Sequence, residues 1–323
     1  MSHRPRILVI LGPTASGKTA LALDVARLVE GEIISADSRQ AYRGLEIGTA
    51  APTIAERAAV PHHGVAFLEP GERYGAGRFA RLCREWITDI ESRGRTPIVV
   101  GGTGFFVRAV THPVFEEPDL DPAGRAALEA WLSVRPLDEI RRWTGRLDPD
   151  LIDRLPVLDR QRAGRALELA LLTGRNLSWW QFNAPPEADP IPARTWVLEA
   201  DAATLRRRIT ERTLRLLDGG WAQEVEALGD AGHGPGSPAM TSIGYRDVSS
   251  FVRGEISRER AVEAILRDTW AYARRQRTWL RHQVPDATRI DVTTDPPLLA
   301  NRIAAEWLST QAAEDPTEDK GGR

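Results

Sequence analysis

Eight residues near the start of the chain, Gly12-Pro13-Thr14-Ala15-Ser16-Gly17-Lys18-Thr19, have the spacing G-x-x-x-x-G-K-T. These residue types at this spacing make a phosphate-binding loop. Backbone N–H groups at a helix N-terminus cradle an anion, the lysine adds a compact charge, and the threonine hydroxyl can hold Mg²⁺. The choice of lysine is informative in itself. The chain has 43 lysines and arginines, of which only Lys18 and Lys320 are lysine, and a planar guanidinium cannot replace a narrow ammonium inside such a loop. The loop specifies phosphate binding, of the kind found in nucleotide- and ATP-binding proteins, but not a reaction.

Two further groups could complete one. NTPases and kinases usually add an apolar strand ending in an aspartate that organises Mg²⁺. Here the apolar run "TPIVV" (96–100) ends instead in "GGTG", where Thr103 offers a single hydroxyl among glycines that permit close backbone approach. The run "EIISA" (32–36) is followed by "DSRQ". Asp37 can be a turn or helix cap, or a catalytic carboxylate. Ser38, Arg39 and Gln40 add hydrogen-bonding groups suited to a planar polar ligand such as a base.

The elements that must position these groups are legible as hydrophobic pattern. "RILVIL" (6–11), "EIISA" and "TPIVV" are continuous apolar runs, the type a parallel sheet buries on both faces. "KTALALDVARLV" and "GRFARLCREWITDIESRG" (77–94) have helical spacing. The order β-α-β-α-β predicts an α/β fold, a P-loop-type doubly wound parallel sheet. In such a sheet ligands bind beyond the carboxyl ends of the strands, so Asp37, Thr103 and the loop should share one crevice. From Asp119 to Leu177 the pattern is helical with Pro and Asp-Pro breaks. "TWVLEA" (195–200) reads as a further strand, with helix thereafter to about Trp307. The expected organisation is a core of 1–110 and 193–310, a mostly helical insertion of 111–192, and a disordered tail of 311–323.

Composition sets the outer limits. The chain has 323 residues, 42% hydrophobic and 27% charged, enough for a large core. No run approaches the roughly 18 apolar residues of a membrane helix, and the N-terminal segment is too short for a signal peptide, so no membrane partner is expected. A single cysteine, Cys83, excludes a disulfide framework within one chain and fits a reducing, cytoplasmic setting; Cys83 itself reads as a core residue. A net charge of −2 means that any nucleic acid must be held by local patches. "LRRRITERTLR" (205–215) and "RDTWAYARRQRTWLR" (267–281) each carry five arginines. In the second, Trp270, Tyr272 and Trp279 offer stacking surfaces suited to an unpaired RNA strand.

Taken in order, "GPTASGKTALA", "ISADSRQAYRGLEIGTA", "PHH" followed by "YGAGRF", "VVGGTGFFVRA", "DRQRAGRALEL", "RITERTLRLLDGGWAQEV", "IGYRD" and "RRQRTWLR" resemble the tRNA dimethylallyltransferase (tRNA isopentenyltransferase) family, over about Ile7 to Arg281. The resemblance implies prenyl transfer from dimethylallyl diphosphate to the exocyclic N6 amine of the adenosine 3′-adjacent to the anticodon, with release of diphosphate. By it, Gly12 to Thr19 and Arg208 hold the diphosphate, with Arg212 beside them, and Thr19 holds Mg²⁺. Asp37 is the general base, Thr103 orients the reaction, and Lys18 stabilises the leaving group. Asp37 to Gln40, Arg125, Gln161, Arg162, Ala163, Gly164, Arg165 and Arg275 contact the anticodon stem-loop of a tRNA. The protein is expected to act as a cytoplasmic monomer.

The chain departs from the family pattern at Ala51, Pro156, Leu158, Phe106 and the pair Ala66-Phe67, none of which touches Lys18, Asp37 or Thr103. Three other readings are open: a nucleoside or small-molecule kinase, a prenyltransferase of free adenine nucleotides, and a non-catalytic RNA-binding protein.

Overall fold

The computed structural model describes residues 4–116, 118–155, 158–234, 236–293 and 295–312. The chain forms two compact units, Met1–Thr111 with Ile191–Arg323, and His112–Pro190. The first unit begins β1 (Ile7–Leu11), α1 (Lys18–Leu28), β2 (Gly31–Ser35), α2 (Ile54–Ala59), β3 (His62–His63), α3 (Ala76–Ser92), β4 (Thr96–Gly101) and α4 (Gly104–Thr111). The second unit is α5 (Pro122–Ser133), α6 (Leu137–Leu147), α7 (Pro149–Arg154), α8 (Arg160–Thr173) and α9 (Leu177–Asn183). The chain then returns through β5 (Ala193–Glu199), α10 (Ala202–Leu216), α11 (Ala222–Asp230), α12 (Tyr245–Val252), α13 (Arg258–Gln283), β6 (Thr288–Asp291) and α14 (Pro296–Ala312).

The six strands form one parallel sheet in the order β3-β2-β4-β1-β5-β6, with Val9 of β1 opposite Val99 of β4 and Thr195 of β5. Successive side chains alternate between faces. Leu8, Ile10, Ile33, Ile98 and Val100 pack with α1 and α14 on one side, and Ile7, Val9, Leu11, Ile34 and Val99 pack with α3 and α4 on the other. Burial on both faces is the reason these strands read as unbroken apolar runs. The fold is the expected doubly wound α/β sheet with a mostly helical insertion. Cys83, on the inner face of α3, is fully buried, and burial pushes its thiol up to about 12.

Three local expectations are corrected. The stretch after residue 200 is not helical throughout: β6 interrupts it. In that strand only Ile290 is buried, so an edge strand with one buried apolar residue leaves no run to read. The insertion spans 112–190 rather than 111–192, because Thr111 ends α4 and Ile191, buried in the core of the first unit, donates its N–H to the Val110 carbonyl. Gln311 and Ala312 do not belong to a disordered tail. They complete α14, where Gln311 Nε2 donates to the Pro5 carbonyl. The rest of the tail, 313–323 with Lys320, and the departure at Pro156 lie outside the described residues.

In the second unit, Asp121, Asp148, Asp159 and Asn176 accept backbone N–H bonds at the starts of α5, α7, α8 and α9, satisfying donors that a helix start leaves orphaned. Pro122 and Pro149 follow at the first helical positions, where the missing N–H costs nothing. Ile140, Leu151, Leu158, Ala163, Ala166 and Leu167 make this unit's own core.

Candidate active site

The phosphate loop leaves β1 and enters α1 through two left-handed residues, Ala15 at φ 62° and Gly17 at φ 91°. Gly17 is the residue before the helix, so the first N–H groups of α1 point into the loop. Lys18 Nζ donates to the Pro13 carbonyl at 3.3 Å. Burial lowers its ammonium to about 8, the nearby Asp37 carboxylate opposing the shift and Arg212 adding to it. Arg208 and Arg212 lie one turn apart on α10 and both face the loop. Arg208 Nη1 donates to the Ser16 carbonyl at 3.2 Å, and Arg212 Nη1 to the Thr14 hydroxyl at 3.0 Å.

Asp37 follows β2 and Thr103 follows β4, and these adjacent parallel strands bring the two together. Thr103 N donates to the Ala36 carbonyl at 3.3 Å. The approach is so close that a Cβ at Gly101 would lie 2.1 Å from the Ala36 oxygen, which is why glycine ends the strand. Asp37 Oδ1 accepts the Arg39 N–H at 2.9 Å, so the turn-forming role coexists with exposure to the crevice. The Thr103 hydroxyl is buried without a hydrogen bond of ordinary geometry, and the phenol that faces it is Tyr272 of α13. Burial pushes that phenol up to about 12, with the Asp37 charge adding to the effect.

Two cavities meet here. A cleft of about 330 Å³ is lined by Asp37, Ser38, Arg39, Thr49, Trp221 and Arg275, among others, within the size range of small-ligand sites. A recess of about 70 Å³ holds Lys18, Thr19, Gln40, His62 and Gln276. Thr14, Asp37, Arg212 and Tyr272 line both. A phosphate-bearing substrate in the recess and a planar one in the cleft would therefore meet at Asp37. A third, wider cleft of about 740 Å³ runs along Ala15 to Leu21, Ala50 to Thr53 and Arg208, and the departure at Ala51 lies on its wall.

Several expected residues are tied down by the protein itself. Arg39 Nη1 donates to the Pro238 carbonyl at 3.0 Å and the Thr241 hydroxyl at 3.1 Å. Gln40 accepts from the Ser35 hydroxyl at 3.0 Å and donates to the Ala50 carbonyl at 3.2 Å. Arg275 is exposed at the cleft, beside the Tyr272 ring. In the second unit, Gln161 and Arg162 are exposed on α8, and Arg125 and Arg165 both pair with Glu168. Gly164 packs near Leu132.

Two readings change. Ala163 is fully buried and its carbonyl accepts from the Thr144 hydroxyl, so its side chain serves the core of the unit and is not offered to a partner. Trp270 and Trp279 are not a free stacking surface. Each packs against a face of the sheet core, and Trp279 lies so tightly over Gly104 that a Cβ there would be 2.0 Å from the ring. Of the three aromatics on α13, only Tyr272 lines the crevice.

Sequence reasoning also missed a supporting set. Glu224 on α11 accepts the Ile47 and Gly48 N–H groups at 2.6 and 2.9 Å and the Tyr245 hydroxyl at 2.7 Å. It thereby holds the segment that lines the cleft, and burial pushes its carboxyl up. "GGWAQEV" and "IGYRD" marked these positions without giving them a role. The departures at Leu158 and Phe106 are apolar packing. Leu158 is buried in the second unit, and Phe106 stacks on Phe79 at 4.7 Å.

Known proteins resemble this chain along most of its length. A family model described as IPP transferase matches residues 40–283, and one described as isopentenyl transferase matches residues 5–60. The tRNA dimethylallyltransferase 1 of Syntrophotalea carbinolica is 43% identical over 85% of this chain and 88% of its own length. The tRNA dimethylallyltransferase of Anaeromyxobacter dehalogenans is 42% identical over 92% and 99%. Among solved structures, a tRNA isopentenylpyrophosphate transferase from Bacillus halodurans superposes with a TM-score of 0.68 at 30% identity, covering 96% of this chain and 99% of that one. A eukaryotic dimethylallyltransferase, described as acting on tRNA, gives a TM-score of 0.78 at 25% identity over 94% and 79%.

Proposed function

The chain belongs to the tRNA dimethylallyltransferase (IPP transferase) family, and on that premise we propose how its residues divide the reaction. The enzyme is a prenyltransferase that transfers a dimethylallyl group to tRNA. We infer that the donor is dimethylallyl diphosphate and the acceptor the N6 amine of the adenosine 3′-adjacent to the anticodon. The reading also takes the protein to work as a cytoplasmic monomer. No described helix is long and apolar enough to cross a membrane.

One observation carries this reading: Thr14, Asp37, Arg212 and Tyr272 line both the recess beside Lys18 and the 330 Å³ cleft. The allylic C–O bond breaks with its electron pair passing to the diphosphate, where Lys18, the α1 N–H groups, Arg208 and Arg212 stabilise the developing charge. The adenine amine is a weak nucleophile because its lone pair is delocalised into the ring. It forms the C–N bond and gives up a proton to Asp37, a general-base contribution of roughly 10² to 10⁴ in rate. Thr103 acts from behind the junction, its buried hydroxyl facing the Tyr272 phenol that lines both cavities. For the base to enter the cleft it must leave its stack; Ser38, Arg39 and Arg275 line that cleft, and Gln40 lies in the adjoining recess. Gln161, Arg162, Arg125 and Arg165 supply the second unit's polar contacts to the RNA.

Mg²⁺ fits this donor set. Thr19 lines the recess with Lys18 and Asp37, and Mg²⁺ is commonly held by one or two protein oxygens together with substrate phosphates. When bound, the ion would neutralise charge on the departing diphosphate.

The test offers labelled dimethylallyl diphosphate and Mg²⁺ with an anticodon stem-loop containing consecutive adenosines, with AMP, or with ATP plus a nucleoside in place of the donor. Label in the stem-loop at N6 is the expected result. Label in AMP alone, or phosphoryl transfer from ATP alone, would refute the assignment.

A further inference from the structure

Gln276 lies on α13 with only 7% of its surface exposed. Its Oε1 accepts the Thr14 N–H at 2.8 Å, and its Nε2 donates to the Gly102 carbonyl at 2.9 Å. The two loops it joins leave different strands and carry different halves of the chemistry. On the prenyl-transfer reading the Thr14 loop grips the leaving group, and the Gly102 loop carries Thr103. A primary amide is donor and acceptor at once, so one side chain spans both. A buried polar group is costly unless both ends are satisfied, which makes this a specific fit. Gly102 permits it: a Cβ there would meet Gln276 Nε2 at 2.3 Å. Thr14 is thereby held twice, through its main chain by Gln276 and through its hydroxyl by Arg212.

We propose that Gln276 is a positioning residue that fixes the diphosphate-binding loop relative to the Thr103 loop, and so aligns the breaking C–O bond with the incoming amine. The proposal rests on the prenyl-transfer reading above. Its force comes from geometry, since a misplacement of about 1 Å can cost on the order of 10² in rate.

The test compares Gln276→Met, which removes both hydrogen bonds at similar size, and Gln276→Glu, which keeps an acceptor for Thr14 but places a second acceptor against the Gly102 carbonyl. Each full-length variant is assayed with Mg²⁺, dimethylallyl diphosphate and stem-loop RNA. The measured quantities are kcat, both KM values, diphosphate released per RNA prenylated, and the melting temperature. Both variants are expected to lose about 10- to 100-fold in kcat, with RNA KM within about twofold of wild type. Diphosphate release should exceed prenylation as water captures the misaligned allylic carbon. Wild-type kcat, or a loss that follows melting temperature alone with one diphosphate per prenyl group transferred, would overturn the proposal. If the wild-type protein prenylates no RNA, the functional reading fails instead. Calorimetry with inorganic diphosphate then tests the loop directly: weaker binding by Gln276→Met supports the proposal, and unchanged binding overturns it.

Discussion

Arg212 Nη1 donates to the Thr14 hydroxyl at 3.0 Å while its Nη2 donates to the Thr49 carbonyl at 2.9 Å. One guanidinium thus ties the phosphate loop to the segment lining the 330 Å³ cleft, in a fork geometry that an ammonium lacks. Hydrogen bonds to a charged group contribute roughly 1.5–3 kcal/mol each. Arg212→Lys is therefore expected to lower kcat/KM for the donor by about tenfold or more, measured in steady state at saturating RNA. A variant within twofold of wild type would remove Arg212 from the site.

Asp37 is the carboxylate at the junction of the two cavities, and the proposed general-base role requires it to contribute to turnover and little to docking. Asp37→Asn is expected to reduce kcat by roughly two or more orders of magnitude while the Kd for stem-loop RNA stays near that of wild type. Because Asp37 Oδ1 also accepts the Arg39 N–H, a bond the amide oxygen preserves, circular dichroism should be unchanged. Full activity in this variant would exclude the base role.

Lys18 gives a pH dependence with a definite sign. Burial lowers its ammonium from 10.5 to about 8, so between those values the unfolded chain binds more protons than the folded one. Stability of the free protein should therefore rise with pH across about 8 to 10.5, through this group, and be lower below 8. An anion in the loop favours the charged form. Diphosphate binding near pH 8.5 should then take up protons, seen by calorimetry in buffers of different ionisation enthalpy, and affinity should weaken as pH rises through 8. Binding without proton uptake would contradict the buried ammonium.

Gly104 lies under the Trp279 ring, where an added Cβ would be 2.0 Å from it. Gly104→Ala should destabilise by about 1–3 kcal/mol, as overpacked sites do, read as a lowered melting temperature. Pairing it with Trp279→Leu should recover part of the loss. An unshifted melting temperature in the single variant would refute the contact.

Arg275 and Arg162 are exposed, in contrast to Ala163. Arg275→Ala and Arg162→Ala should each weaken RNA binding and flatten its salt dependence, since each phosphate that the protein no longer neutralises reduces the slope by about one. Donor KM should not move. An unchanged salt slope in both variants would take these arginines out of the RNA interface.

The sequence by itself determined whatever depends on neighbours in the chain. The phosphate loop is set by glycine and lysine spacing between an apolar run and a helix, and the central strands β1, β2 and β4 show as unbroken hydrophobic segments because both faces are buried. The placement of Asp37 and Thr103 after strand ends was legible because each follows an apolar run. Only the tertiary structure decided which way side chains on a long helix point. α13 carries arginines and aromatics in one run, and nothing local distinguishes Trp279, pressed on Gly104, from Arg275 at the cleft. Nor does it reveal that Gln276 turns inward to join Thr14 with Gly102. Those choices depend on contacts between residues more than a hundred positions apart, where packing and paired hydrogen bonds select one orientation. Ala163, one residue from the exposed Arg162 on α8, is fully buried by packing within its own unit, against Ile140, Leu151 and Leu158.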